Sequence, residues 1–172
     1  MIWRTRKDKI YLDTSVMSHL SHEDVPGKMA DTLSFWEDVE AGMYDVVISE
    51  ATLAELEDCR EPKRSALIDA VKAIDHTYLP RSEEAEALAD AYVREGVLTS
   101  RHRDDLMHIA LAVVSGCDII VSWNFKHMVH VRTIQSVRAV NAQEGWFKSI
   151  DIVSPTMMLK GGEGHEGTGG QP

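Results

Sequence analysis

The sequence predicts an α/β fold in which a central, mainly parallel sheet is covered by helices on both faces. Short apolar segments of strand length alternate along the chain with longer segments of helical pattern, which is the order expected for a parallel sheet. Residues 106–114 are apolar nearly all round, with His108 as the clear exception, and such a helix belongs in a core. With a stop at Gly116 and an apolar strand over 118–121, this helix forms one unit of the sheet.

The individual elements follow from apolar periodicity and from capping and stop residues. In chain order they are a strand over 9–12, a helix over 16–20, a loop over 21–28, a helix over 29–41, a strand over 44–48, helices over 50–59 and 62–74, a strand over 76–79, helices over 82–95 and 106–114, a strand over 118–121, a connector over 125–131, a helix over 133–144 and a strand over 150–153. Asp13 is placed to cap the first helix, Ser49 caps the third, and Pro62 lies in the first turn of the fourth. The second helix is predicted to bury a face made of Met29, Leu33, Trp36 and Val39.

The composition is that of one globular domain. The 172 residues are 44% hydrophobic, enough for a proper core, and we expect a single domain over 1–158 followed by a flexible Gly-rich tail over 159–172. No segment approaches the roughly 18 consecutive apolar residues of a membrane helix, and the basic start lacks the apolar core of a secretion signal. Cys59 and Cys117 are therefore expected to be reduced thiols of a cytoplasmic protein.

The charge balance limits the functions that the sequence allows. The formal net charge is −10, which argues against a broad phosphate-binding surface. A nucleic-acid enzyme remains compatible with this charge, because a metal ion in the site can bring the positive charge.

Three carboxylates and one amide fall where an α/β sheet binds its ligands, beyond the carboxyl ends of the strands. Asp13 follows the first strand, Glu55 lies on the helix after the second strand, Asp105 lies in the first turn of the buried helix, and Asn124 follows the strand over 118–121. Carboxylates packed together raise each other's pKa, and a bound Mg²⁺ or Mn²⁺ removes that cost. Such a site can activate water for attack on a phosphodiester.

Each of these residues also has a purely structural interpretation. Asp13 can act as a helix cap. Asp105 can stabilise its helix by placing a negative charge at the positive end of the helix dipole. Asn124 is of a residue type common in turns. Glu55 is one of four acidic residues over 50–58, and periodicity does not choose among them.

Four segments resemble, in order, the motif blocks of the PIN domain, a family of metal-dependent ribonucleases that includes the VapC-type toxins. They are Ile-Tyr-Leu-Asp-Thr-Ser at 10–15, Ser-Glu-Ala-Thr-Leu-Ala-Glu-Leu at 49–56, Asp-Leu-Met-His-Ile-Ala-Leu-Ala at 105–112 and Val-Ser-Trp-Asn-Phe at 121–125. The end of the chain, over 140–155, is similar to the last helix and strand of the family. In the second block the acidic ligand is the Glu before Leu, and this match selects Glu55.

The resemblance implies a three-layer α/β/α domain that binds Mg²⁺ or Mn²⁺ and hydrolyses RNA as an endoribonuclease. It implies Asp13, Glu55 and Asp105 as ligands, with Asn124 as a weaker or water-mediated fourth. It implies a second copy of the chain as a partner and, for the toxin of a type II toxin–antitoxin pair, a small antitoxin. Residues expected to support the ligands or contact the substrate are Thr14, Ser122, His108 and Trp123.

Other functions remain open at this point. An Asn at the fourth position carries no charge, and a catalytically weak or silent PIN-fold interaction module is the alternative. A small-molecule phosphatase or a DNA nuclease would use the same acidic residues. A zinc hydrolase is disfavoured, because the chain has no His-Glu-x-x-His motif and no Cys-rich set.

Histidines and aromatic residues are expected around the site. They are His102, His108, His127, His130, Trp123 and Phe125. His108 follows Asp105 by three residues and can orient that carboxylate, ligate a softer ion, or be a hydrogen-bonded core histidine. Trp123 and Phe125 flank Asn124 and can stack an RNA base, with packing as the alternative for one of them.

Overall fold

Five parallel strands form the central sheet of the protein, and the predicted α/β class is confirmed. The structure is a computed structural model that describes residues 6–160. The strands are β1 (Lys9–Leu12), β2 (Asp45–Ser49), β3 (Thr77–Leu79), β4 (Ile119–Val121) and β5 (Asp151–Val153). Their order in the sheet is β3-β2-β1-β4-β5, and every pair is parallel.

Helices connect the strands and cover both faces of the sheet, as a three-layer α/β/α arrangement requires. Within residues 6–160 they are α1 (Thr14–Ser18), α2 (Pro26–Glu40), α3 (Glu50–Glu57), α4 (Lys63–Lys72), α5 (Glu83–Arg94), α6 (Arg103–Val114), α7 (Val131–Gln143) and α8 (Pro155–Met158). Short 3₁₀ turns follow α1, at His19–Ser21, and precede α6, at Ser100–His102.

The hydrophobic core is split into two clusters, one on each face of the sheet. Successive residues of a strand point to opposite faces, so Tyr11 packs with α5, α6 and α7, whereas Ile10 and Leu12 pack with α1, α2 and α4. All residues of α6 from Leu106 to Val113 are buried. The nearly all-apolar character of this helix therefore reflects its place against the centre of the sheet.

The pairing of β1 with β4 creates a cleft at the carboxyl edge of the sheet. The chain builds the sheet outward from β1 through β2 to β3, and then returns to add β4 on the other side of β1. Leu12 pairs with Val121, so the residues that follow these two strands, Asp13 and Ser122, emerge side by side. A reversal of strand order of this kind opens a crevice at the carboxyl edge of a parallel sheet.

Several predictions about single elements are wrong. Asp13 occupies the N-cap position of α1 but makes no side-chain cap hydrogen bond, because its carboxylate faces the cleft. The second helix begins earlier than predicted, at Pro26, which fits the first turn of a helix. Its buried face contains Phe35, whereas Leu33 is 44% exposed. The short helix α8 is absent from the sequence prediction, which only ends the last strand at Ser154.

Gly116 ends α6 as predicted, and glycines also follow the ends of α2, α5 and α7. Gly42, Gly96, Gly116 and Gly145 all have positive φ. Among the described residues, no helix combines the length and the apolar character needed to cross a bilayer. Residues 161–172 of the predicted tail lie outside the described part of the chain.

Candidate metal centre

A cleft of about 410 Å³ opens beyond the carboxyl ends of β1 and β4. All four residues proposed as metal ligands from the sequence line it, namely Asp13, Glu55, Asp105 and Asn124. The candidates Thr14, His108 and Trp123 also line it. Ser122 lies beneath the cleft and contacts Asp13.

Asp13 is held rigidly at the floor of the cleft. Its side chain is nearly buried, and Oδ2 accepts hydrogen bonds from Ser15 Oγ at 2.6 Å and from Ser122 Oγ at 2.8 Å. Oδ1 lies 3.8 Å from Nε2 of His108. Two hydroxyl donors on one carboxylate oxygen fix the orientation of the group and leave the other oxygen turned into the cleft.

Glu55 is positioned by His108, a contact that the sequence did not predict. Nε2 of His108 donates to Oε1 of Glu55 at 2.9 Å. Burial raises the pKa of Glu55, but the hydrogen bond and the charge of His108 outweigh it, and the pKa falls below its ordinary value. Burial lowers the pKa of His108, yet bonding to Glu55 and the charges of Asp13 and Glu55 raise it overall. Glu55 is therefore a carboxylate at neutral pH.

A buried chain of hydrogen bonds fixes the other side of the His108 ring. Nδ1 of His108 lies 2.6 Å from the hydroxyl of Tyr11, which lies 2.6 Å from Ser49 Oγ. Ser49 in turn accepts from the backbone N–H of Thr52 at 3.1 Å as the cap of α3. Burial raises the pKa of Tyr11, so the phenol stays protonated. The Tyr11 hydroxyl donates to Nδ1 when the His108 ring is neutral, and it accepts from Nδ1–H when the ring is protonated.

Asp105 lines the cleft, but its carboxylate is turned toward the loop after β4. Oδ1 accepts from Nδ2 of Asn124 at 3.2 Å, and Oδ2 lies 2.8 Å from Nδ1 of His127. The suggestion that His108 orients Asp105 is wrong, because His108 bonds Glu55 and Tyr11 instead. Asn124 and His127 perform that task.

Asn124 also organises the loop that carries it. Its Oδ1 accepts from the backbone N–H of His127 at 3.0 Å, and its own N–H donates to Ser122 Oγ at 3.0 Å. Its side chain thus joins the loop to Asp105, and the turn-residue interpretation describes part of its role.

The two aromatic residues beside Asn124 have different environments. Trp123 is 6% exposed and donates from Nε1 to Thr32 Oγ1 at 2.8 Å, so it packs in the core. Phe125 is 45% exposed. Lys28 Nζ lies 5.4 Å from the ring centroid of Trp123 and 5.2 Å from that of Phe125. Of the two, Phe125 is the ring that solvent and ligands can reach.

The side chains of the cleft fit a divalent cation. Ligand atoms of Asp13, Glu55 and His108 lie within 4.8 Å of one another. The hydroxyl oxygen of Thr14 is buried beside Glu55 and helps to lower the pKa of that carboxyl. Carboxylate and hydroxyl oxygens are ligands that Mg²⁺ and Mn²⁺ accept.

Sequence reasoning missed several residues of the cleft. It places Tyr11 only as a strand residue, and it does not single out His19 and His22, which line the cleft. Tyr11 contacts His108 only because α6 packs on the sheet, and the pattern around His19 and His22 carries no motif that would mark them. His130 is expected near the site from the sequence, but it is exposed and lies at the N-terminus of α7.

Comparison with models of known protein families and with curated proteins gives no match to this chain. Its function is therefore inferred from the side chains of the cleft. These are three carboxylates held by hydrogen bonds and a buried histidine at the switch point of a parallel sheet.

Proposed function

We propose that this protein is a metal-dependent endoribonuclease of the PIN-domain type. The observation that carries the proposal is the convergence of Asp13, Glu55 and Asp105 on one cleft at the carboxyl edge of the sheet. Four motif blocks that resemble the PIN family supply these three residues together with Asn124. Mg²⁺ or Mn²⁺ is the proposed cofactor, because the cleft offers mainly hard oxygen ligands.

Preorganisation of the acidic residues supports a catalytic role. Ser15 and Ser122 fix Asp13, and His108 fixes Glu55. Groups that are already aimed at a reacting centre pay no reorganisation cost during the reaction. In a site of this type the bound ion lowers the pKa of a water molecule and neutralises charge on the phosphate.

Positive charge and an exposed ring near the acidic residues support a nucleic-acid substrate. Lys63 lines the cleft, and Lys28 lies beside the exposed ring of Phe125. Burial lowers the pKa of His19, which favours the neutral form of that ring. A cation beside an aromatic ring suits a phosphate and a stacked base of single-stranded RNA.

The proposed protein partners rest on the resemblance to the PIN family alone. Members of the toxin branch pair with a small antitoxin, and many PIN domains dimerise. We therefore propose this protein as the toxin of a type II toxin–antitoxin pair, with RNA as its substrate. Purification with the product of a neighbouring small reading frame would test that part.

The test is cleavage of a mixed RNA pool by the full chain in the presence of Mg²⁺, Mn²⁺ or EDTA. Cleavage is expected only with a metal ion, and Asp13→Asn and Asp105→Asn are expected to lower the rate at least about a hundredfold, as the loss of a charge-stabilising group does. Asp104→Asn is the matched control, because Asp104 neighbours Asp105 on the same helix turn but is exposed.

Two outcomes would contradict the ribonuclease proposal. One is cleavage that survives in both Asp13→Asn and Asp105→Asn at the wild-type rate. The other is the absence of RNA cleavage by folded, metal-loaded protein, with a phosphomonoester or DNA substrate processed in its place.

A specific observation favours the alternative of a catalytically silent module. Asn124 carries no charge, and both polar atoms of its side chain are engaged with Asp105 and His127. A silent module would show no Mn²⁺-dependent rise in Tm. A rise in the wild type that is lost in Asp13→Asn would count against it.

A further inference from the structure

Three side chains form a second group of metal-ligand type beside the acidic cleft. His102, Asp105 and His127 each offer one ligand atom, and these atoms lie within 4.8 Å of one another. The rings of His102 and His127 face each other with centroids 3.8 Å apart. The contact between Nδ1 of His127 and Oδ2 of Asp105 is 2.8 Å. In this contact Nδ1–H of His127 donates to the carboxylate of Asp105. A bound cation would replace that proton.

Three different elements bring the group together and hold it. His102 ends the 3₁₀ turn that leads into α6, and its backbone N–H donates to the carbonyl of Thr99 at 2.9 Å. Asp105 lies in the first turn of α6. His127 belongs to the loop after β4, where the carbonyl of Asn124 accepts two further backbone N–H groups. The group is therefore attached to fixed backbone and does not lie on a free loop.

The donor set differs from that of the acidic cleft. Two imidazoles and one carboxylate suit Zn²⁺ and neighbouring transition metals, whereas Mg²⁺ prefers oxygen ligands. Ligand atoms at about 2.0–2.2 Å from a tetrahedral Zn²⁺ lie about 3.4 Å apart. Small side-chain rotations would bring atoms that already lie within 4.8 Å of one another to that separation.

The group is also accessible. His102, Asp105 and His127 are all partly exposed. An apolar cleft of about 560 Å³, lined by Val97 and Leu98 among others, opens beside the two histidines. An ion held by three protein ligands would keep a position open to a further ligand, as three-ligand zinc sites do.

We propose that His102, Asp105 and His127 bind a transition-metal ion of the Zn²⁺ type at a site separate from the Mg²⁺ or Mn²⁺ position of the acidic cleft. Asp105 lines both positions, so the two ions would share one carboxylate. The proposal goes beyond the ribonuclease function and does not depend on it, and its test uses no RNA.

The test is titration of the full-length protein with Zn²⁺ alone, observed by the imidazole ¹⁵N resonances of histidine. The ring nitrogens of His102 and His127 are expected to shift together and to saturate at one equivalent. By calorimetry, His102→Gln and His127→Gln are each expected to weaken Zn²⁺ binding by about tenfold or more, the scale on which ligand environments affect metal affinity. His130→Gln is the matched control, because this exposed histidine lies three residues beyond His127.

Asp13→Asn separates the two sites, because it removes a carboxylate of the acidic cleft alone. Zn²⁺ binding within twofold of wild type in this variant supports a separate histidine site. The proposal is overturned if Zn²⁺ shifts the ring of His108 instead of those of His102 and His127. It is equally overturned if both Gln variants bind Zn²⁺ as tightly as the wild type.

Discussion

Replacing Tyr11 by Phe removes one hydroxyl from the centre of the protein and leaves the ring in place. That hydroxyl joins Ser49 to His108 through two contacts of 2.6 Å each. Ser49 keeps its bond from the backbone of Thr52, so it loses only one partner. Nδ1 of His108 would be left buried without a partner, on a side chain that is 1% exposed.

The loss of stability expected for Tyr11→Phe follows from these contacts. One lost hydrogen bond at Ser49 costs about 1 kcal/mol, and an unsatisfied buried ring nitrogen costs about 1–2 kcal/mol more. The free energy of unfolding is therefore expected to fall by about 2–3 kcal/mol. The same loss frees the ring of His108 that positions Glu55, so we expect weaker Mn²⁺ binding in this variant as well.

Urea denaturation at pH 7 measures the change, with Tyr78→Phe as the control. Tyr78 is 51% exposed, and its replacement is expected to change stability by less than about 0.5 kcal/mol. Combining Tyr11→Phe with Ser49→Ala should reveal a coupling of about 1 kcal/mol. A loss below about 0.5 kcal/mol for Tyr11→Phe would refute the assignment of this hydroxyl to His108.

Two further predictions concern positions away from the cleft. Burial raises the pKa of Asp118, but the backbone N–H of Lys9 and the side chains of Lys148 and Arg6 lower it to about 2. This depressed pKa contributes stability that is present above pH 4 and lost as the pH falls toward 2. After discounting for its exposed partners, Asp118→Asn should cost about 1 kcal/mol at pH 7 and clearly less near pH 2. Urea denaturation at both pH values checks this, and an equal loss of stability at both would contradict it. Gly116 has a φ of +72°, and a methyl group added to its Cα would meet open space, so Gly116→Ala should cost about 1–2 kcal/mol from backbone strain alone. Gly27 is the control, because it lies in α2 and a methyl group there would also meet open space. Gly27→Ala should raise the Tm. A rise in the Tm of Gly116→Ala would contradict the expected backbone strain at Gly116.

Local pattern was sufficient for most of the secondary structure. The strand over 9–12, the Ser49 cap and the Gly116 stop depend on residues close in sequence, and all three are found in the structure. The buried face of α2 was not predictable in the same way. Leu33 is exposed while Phe35 is buried. Either residue fits a helical stripe with Trp36 and Val39, and only the packing of α2 selects between them.

The sequence by itself determined that the fold is a parallel α/β sheet and that acidic residues follow its strands. Periodicity and capping are local properties, and the carboxyl ends of parallel strands necessarily meet at one edge. The tertiary structure alone decided which side chains form hydrogen bonds that position those carboxylates. Tyr11 and His108 are 97 residues apart, and His108 and Glu55 are 53 apart. Such contacts arise when helices pack on the two faces of the sheet, and no spacing along the chain encodes them.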